Sequence, residues 1–106
     1  MRQKYGEAVY SMMHLLPPEE QKAYYAKFVF ESGRAASEVG FWLFDPGKAS
    51  KVDESKITCP ILVIAGKQDR ITQAWVVRQV ARKYKGTAYK EYPDHAHWVL
   101  GEPGWQ

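Results

Sequence analysis

With 106 residues and a formal net charge of +3, the chain has room for one domain and carries only a mild basic surplus. No apolar run approaches the roughly 18 residues of a membrane span, and the charged start lacks the apolar stretch of a secretory leader. The single cysteine, Cys59, forms no intrachain bridge, so a disulfide scaffold is excluded and the cytoplasm is the expected compartment.

In chain order, residues 7–16 read as a helix, because Val9, Met12, Met13 and Leu16 recur at helical spacing before Pro17-Pro18 stops it. Pro18, Glu19 and Glu20 open a second helix, with φ fixed in its first turn and acids near the positive end of its dipole. It runs to about Ser32, with Gly33 as its terminating residue. Residues 35–44 form a third helix bearing Val39, Phe41, Trp42 and Phe44, ended by Asp45-Pro46-Gly47. A short turn over 48–52 and a polar link over 53–58 follow.

The second half changes character. Residues 61–65 are a short apolar, β-branched run that ends on Gly66 and reaches Asp69 soon after. That is the pattern of a parallel strand buried on both faces, with a carboxylate on the turn at its C-terminal end, where parallel sheets place their chemistry. Thr72 is positioned to cap a helix over 73–84, in which Val76, Val77, Val80, Ala81 and Tyr84 repeat inward. Gly86 releases it, and residues 87–92 alternate as a half-exposed strand. Strand, helix, strand predicts parallel pairing with a right-handed crossover. Arg78, Arg82, Lys83 and Lys85 lie on the polar side of that helix and are a solvated face, not a nucleic-acid surface.

Two strands leave both edges of a sheet open and an apolar strand uncovered. The expectation is therefore a piece of a larger protein, or a homodimer or higher even-numbered oligomer that completes the sheet with another copy.

The run Ile57-Thr-Cys-Pro-Ile-Leu-Val-Ile-Ala-Gly-Lys-Gln-Asp69-Arg-Ile-Thr72 resembles the penultimate core strand and acid turn of the α/β-hydrolase fold. Tyr92-Pro-Asp-His-Ala-His97-Trp98, with Glu102-Pro103 behind it, resembles that family's last strand, histidine loop and start of the final helix. The resemblance covers residues 40–106 by motif and residues 1–40 by position and helical character. It implies an incomplete α/β-hydrolase fold: residues 1–52 a helical cap-like region, and residues 53–106 the C-terminal part of the core.

The chemistry implied is that of a serine hydrolase, in which histidine accepts the nucleophile's proton and the acid orients and stabilises the imidazole. Asp69 and His97 are the catalytic acid and histidine by this resemblance, and no cofactor is implied. The nucleophile is missing. Ser11, Ser32, Ser37, Ser50 and Ser55 all lie outside a Gly-x-Ser-x-Gly turn, and no glycine-rich oxyanion loop is present.

Each residue has a plainer reading. Asp69 is also a common turn device, bonding its own backbone. Ala96 stands where the family usually has glycine and Trp98 follows as the bulky neighbour, which favours His97 over His95; His95 is then a supporting or solvent-facing histidine. His14 has no partner in sequence. Cys59 reads as a small buried hydrophobe, and Glu102 as the cap or start of a terminal helix. Phe41, Trp42 and Phe44 wall an acyl pocket or simply pack.

Three functions compete. The first is a serine-hydrolase segment, for which ester is the commonest family substrate, inactive without a nucleophile-bearing N-terminal half. The second is a non-catalytic dimerisation module derived from such an enzyme. The third and weakest is metal binding through His95, His97 and Asp69.

Overall fold

The computed structural model describes residues 1–48 and 50–106. Among them are four α-helices and a two-stranded parallel sheet, a mixed α/β arrangement. The turn expected over 48–52 includes Ala49, which lies outside the described residues.

Helix α1 (Tyr5–Ala8) runs directly into a π-helical turn over Val9–Met13. Its start is earlier than the apolar spacing suggests, because the Lys4 amide donates to the Glu7 carboxylate at 3.0 Å. The Leu16 amide donates to the Met13 carbonyl in a turn, not a helical bond, as the following prolines disfavour helix just before them. Helix α2 (Pro18–Ala26) begins on its proline and two acids but closes at Lys27, short of Ser32. Gly33 is not its terminator. It is the first residue of α3 (Gly33–Gly40), because the Ser32 hydroxyl accepts from the Ala35 amide at 3.2 Å and so caps a helix start. The third helical segment breaks at Phe41 and resumes as a 3₁₀ turn over Trp42–Phe44. Phe41, Trp42 and Phe44 are exposed, Phe44 at 82%, so they do not pack as a core, and of the three Trp42 lines an open cleft, with Val39, Val52, Val80 and Tyr84.

Strands β1 (Leu62–Gly66) and β2 (Ala88–Tyr92) pair in parallel, with Leu62 opposite Ala88 and Gly66 opposite Tyr92. Between them runs α4 (Ala74–Lys83). Arg78 of α4 donates to Glu91 at 3.0 Å, and Tyr89 donates to the same carboxylate at 2.7 Å. The helix therefore covers the face that holds Tyr89 and Glu91, together with their register partners Val63 and Ala65. The opposite face is bare: Leu62 is 62% exposed and Ile64 42%. A strand expected to be buried on both faces is covered on one, because the chain supplies a helix for one side of the sheet only. Cys59 shares this fate and is exposed, not buried, since residues 51–60 run along the surface.

The core forms where the two halves meet. Ala8, Met13 and Leu16 are buried, and Tyr24, Tyr25, Phe28 and Trp98 pack against them. Trp98 belongs to the histidine segment, and its indole sits 5.3 Å from the Tyr24 ring, centroid to centroid. The chain is flat and open, 43 × 34 × 20 Å, with a radius of gyration of 15.8 Å. A compact domain of this length has about 13 Å.

Candidate functional site

β1 and β2 end side by side, and the two loops that leave them are zipped together. The Lys67 amide donates to the Tyr92 carbonyl at 2.9 Å, and the Gln68 amide to the His95 carbonyl at 3.0 Å. Gly66 permits this closeness. A Cβ there would stand 2.2 Å from the Ala96 carbonyl oxygen and 2.6 Å from that of His95, so only a residue without a side chain fits.

The result brings Asp69 and His97 together. His97 Nδ1 donates to Asp69 Oδ2 at 2.9 Å. Asp69 Oδ1 accepts from the Ile71 amide at 2.8 Å and the Thr72 amide at 3.0 Å. The turn role and the pairing role, read as rivals in the sequence, are thus shared between the two oxygens of one carboxylate. Thr72 is a donor in this turn and not the cap of α4, which begins after Gln73.

An ionised carboxylate only accepts, so the neutral imidazole keeps its proton on Nδ1 and leaves the Nε2 lone pair free. The Asp69 side chain is 9% exposed and that of His97 29%. The acid is shielded while the imidazole reaches solvent, an arrangement suited to taking a proton from an incoming group.

His95 does not face solvent. It is 4% exposed, its ring lies 5.0 Å from that of Tyr92, and neither ring nitrogen has a hydrogen-bond partner among the described residues. Glu102 does not start a helix: residues 98–102 form a turn in which the Gly101 and Glu102 amides both donate to the Trp98 carbonyl. The Glu102 side chain is buried and accepts from the Ala96 amide at 2.7 Å. Among the described residues no three His, Cys, Asp or Glu side chains gather as a metal site.

Arg70, which spacing left without a role, helps join the helical layer to the site. Next to Asp69, it donates to the Tyr10 carbonyl at 3.0 Å and lies over the Tyr10 ring. His14 is half-buried, and its Nδ1 has no partner. Burial pushes its pKa down and Arg70 pushes the same way, against the opposing pull of Glu102 and Asp69. Nothing in the sequence could have signalled these contacts, which cross the whole chain.

A histidine with a lowered folded-state pKa binds its proton more readily when unfolded, so its contribution is present above the ordinary value of about 6.5 and fades as pH falls below it. The urea midpoint of the wild-type chain is expected to drop more between pH 7.5 and 5.5 than that of His14→Gln. Equal drops would show that His14 does not resist protonation.

Four of the serines place their hydroxyls in local structure. Those of Ser11 and Ser37 donate to carbonyls of their own helical segments, Ser32 caps α3, and Ser55 donates to Asp53. In a comparison with known proteins, no family model, curated protein or solved structure matches this chain.

Proposed function

We propose that the chain is the acid–histidine segment of a serine hydrolase of the α/β-hydrolase type, acting on a carboxylic ester. The observation that carries this reading is the 2.9 Å bond from His97 to Asp69 where two adjacent parallel strands end. The nucleophile and oxyanion donors come from residues outside these 106. Nε2 of His97 takes the proton of an incoming serine hydroxyl as its oxygen attacks the acyl carbon. Asp69 steadies the imidazolium, and His97 returns the proton to the departing alkoxide. Water, activated by the same nitrogen, then releases the acid product. Turnover of p-nitrophenyl acetate by the purified chain, alone and with a nucleophile-bearing polypeptide, tests the reading; alone, the chain should give no phosphonate-sensitive rate.

A second reading, a non-catalytic assembly module, is favoured by the surface. The accessible area is 8045 Å², whereas a folded monomer of this mass has about 6,100 Å². The surplus, about 1,900 Å² on one chain, exceeds the roughly 800 Å² per partner of a standard interface and falls in the range of about 1,000–2,500 Å² per partner of obligate ones, and it includes the bare Leu62–Ile64 face and the aromatics after α3. Sedimentation velocity over a tenfold concentration range should reveal a dimer or larger even-numbered species. A 12 kDa particle throughout would count against self-assembly.

A further inference from the structure

The histidine loop carries one polar contact whose burial exceeds that of the acid–histidine pair itself. Glu102 is 2% exposed and Ala96 is fully buried, yet the Glu102 carboxylate meets the Ala96 amide at 2.7 Å. The other carboxylate oxygen, Oε1, is buried with no hydrogen-bond partner among the described residues. A buried carboxylate with an unsatisfied oxygen is costly, which makes a merely decorative contact a poor explanation.

The same peptide plane is gripped at its other end. The His95 carbonyl and the Ala96 N–H belong to one peptide unit, and a peptide unit is rigid. Its oxygen accepts from the Gln68 amide at 3.0 Å, while its N–H donates to Glu102. Gly66 lies against this plane and against the Ala96 carbonyl oxygen, so the loop has no room to approach further. With the plane fixed by a donor, an acceptor and a floor, little rotation remains before the chain reaches His97. A charge-assisted N–H···O bond is the strongest of these restraints.

From this geometry we infer that Glu102 is a positioning residue, which fixes the peptide plane ahead of His97 and thereby holds the imidazole on Asp69. The inference rests on the acid–histidine reading of the site and adds to it the group that orients the histidine backbone. Glu102 touches neither substrate nor the imidazole in this role. What sets the position is an acceptor oxygen at the end of a two-carbon stem; negative charge strengthens the bond without changing where it points. Glutamine therefore preserves the function, and aspartate, one methylene shorter, does not reach.

The experiment is ¹⁵N NMR of the histidine rings, with backbone amide exchange, on the whole chain at neutral pH. In the wild-type chain His97 should give the pattern of an Nδ1–H imidazole. The Ala96 amide should exchange about tenfold to a hundredfold more slowly than a free amide, as expected for a hydrogen bond to a charged group. Glu102→Gln should keep both signatures. Glu102→Ala and Glu102→Asp should lose both while the amides of β1 and β2 stay protected. Retention of the His97 pattern in the folded Ala variant would overturn the assignment and leave the acid–histidine pair intact. Absence of the Nδ1–H pattern in the wild-type chain would instead overturn the pair. If the Ala and Asp variants do not fold, exchange of Ala96 in the wild-type chain decides: exchange at the free-amide rate overturns the role of Glu102.

Discussion

Replacing Gly66 by alanine is expected to lower the unfolding free energy by about 3 kcal/mol or more, at the upper end of the cost of overpacking. The added carbon would meet two backbone carbonyl oxygens, at 2.2 and 2.6 Å, and neither can rotate aside as a side chain would. Relief requires the histidine loop to lift off the end of β1. That movement breaks the bonds from Lys67 to Tyr92 and from Gln68 to His95, and it carries His97 away from Asp69. The fall in the urea midpoint should therefore come with loss of the Nδ1–H signature of His97. Gly33→Ala is the control, since nothing lies within 4 Å of its Cβ position; it should leave the midpoint nearly unchanged. A Gly66→Ala chain as stable as the wild type would show that the loop does not rest on the strand end.

The second large effect concerns turnover. The isolated chain is expected to hydrolyse p-nitrophenyl acetate at no more than the background rate of a histidine-containing protein. A proton acceptor with its orienting acid provides neither nucleophile nor oxyanion donors, and losing even one such donor costs an enzyme about 10²–10³ in kcat. Completed by a nucleophile-bearing polypeptide, the assembly should gain a phosphonate-sensitive rate. Asp69→Asn should then reduce kcat by about 10⁴, the scale seen when a triad acid becomes its amide. The two backbone amides of Ile71 and Thr72 would claim the asparagine oxygen, which turns its NH₂ toward His97. An NH₂ donor facing Nδ1 forces the imidazole proton onto Nε2, the nitrogen that must accept. His97→Ala should abolish the rate as well. Saturable, phosphonate-sensitive turnover by the chain alone would sink the reading, because one of its own serines would then be a nucleophile.

The parts of the molecule legible in sequence were those written in short-range pattern. The β-branched run before Gly66 and the inward repeat of α4 gave two parallel strands within a residue of their observed limits. The turn at Asp69 was legible as a strand end, whereas His97 was singled out only by the resemblance of its loop to that of the α/β-hydrolases. Legibility failed where an outcome depended on something distant. Gly33 resembles a helix terminator locally, and only the Ser32 cap decides that it begins one. Leu62, Ile64, Cys59 and the aromatics after α3 were expected inside because they are apolar, but burial also requires an opposing layer, and among the described residues none covers them. Glu102 looked like a helix start from its neighbours Pro103 and Gly104; its actual partner, Ala96, is reached by folding back across a turn.

The join between Trp98 and the Tyr24 layer sets an order of events in folding. Arg70 and the Tyr10 carbonyl are 60 residues apart in sequence, and Trp98 closes a still longer loop onto Met13 and Leu16. Closing such loops costs chain entropy that nearby contacts must first offset. The helical turns around Ala8 and Met13 are local and can form early, the imidazole of His97 meets its acid once β1 and β2 have paired, and the join of Trp98 to the helical layer closes the longer loop. In nascent synthesis the helical layer emerges first and waits for the indole that completes it. The join between the helical layer and the histidine segment is therefore expected to close after the Asp69–His97 contact, whose loop is less than half as long.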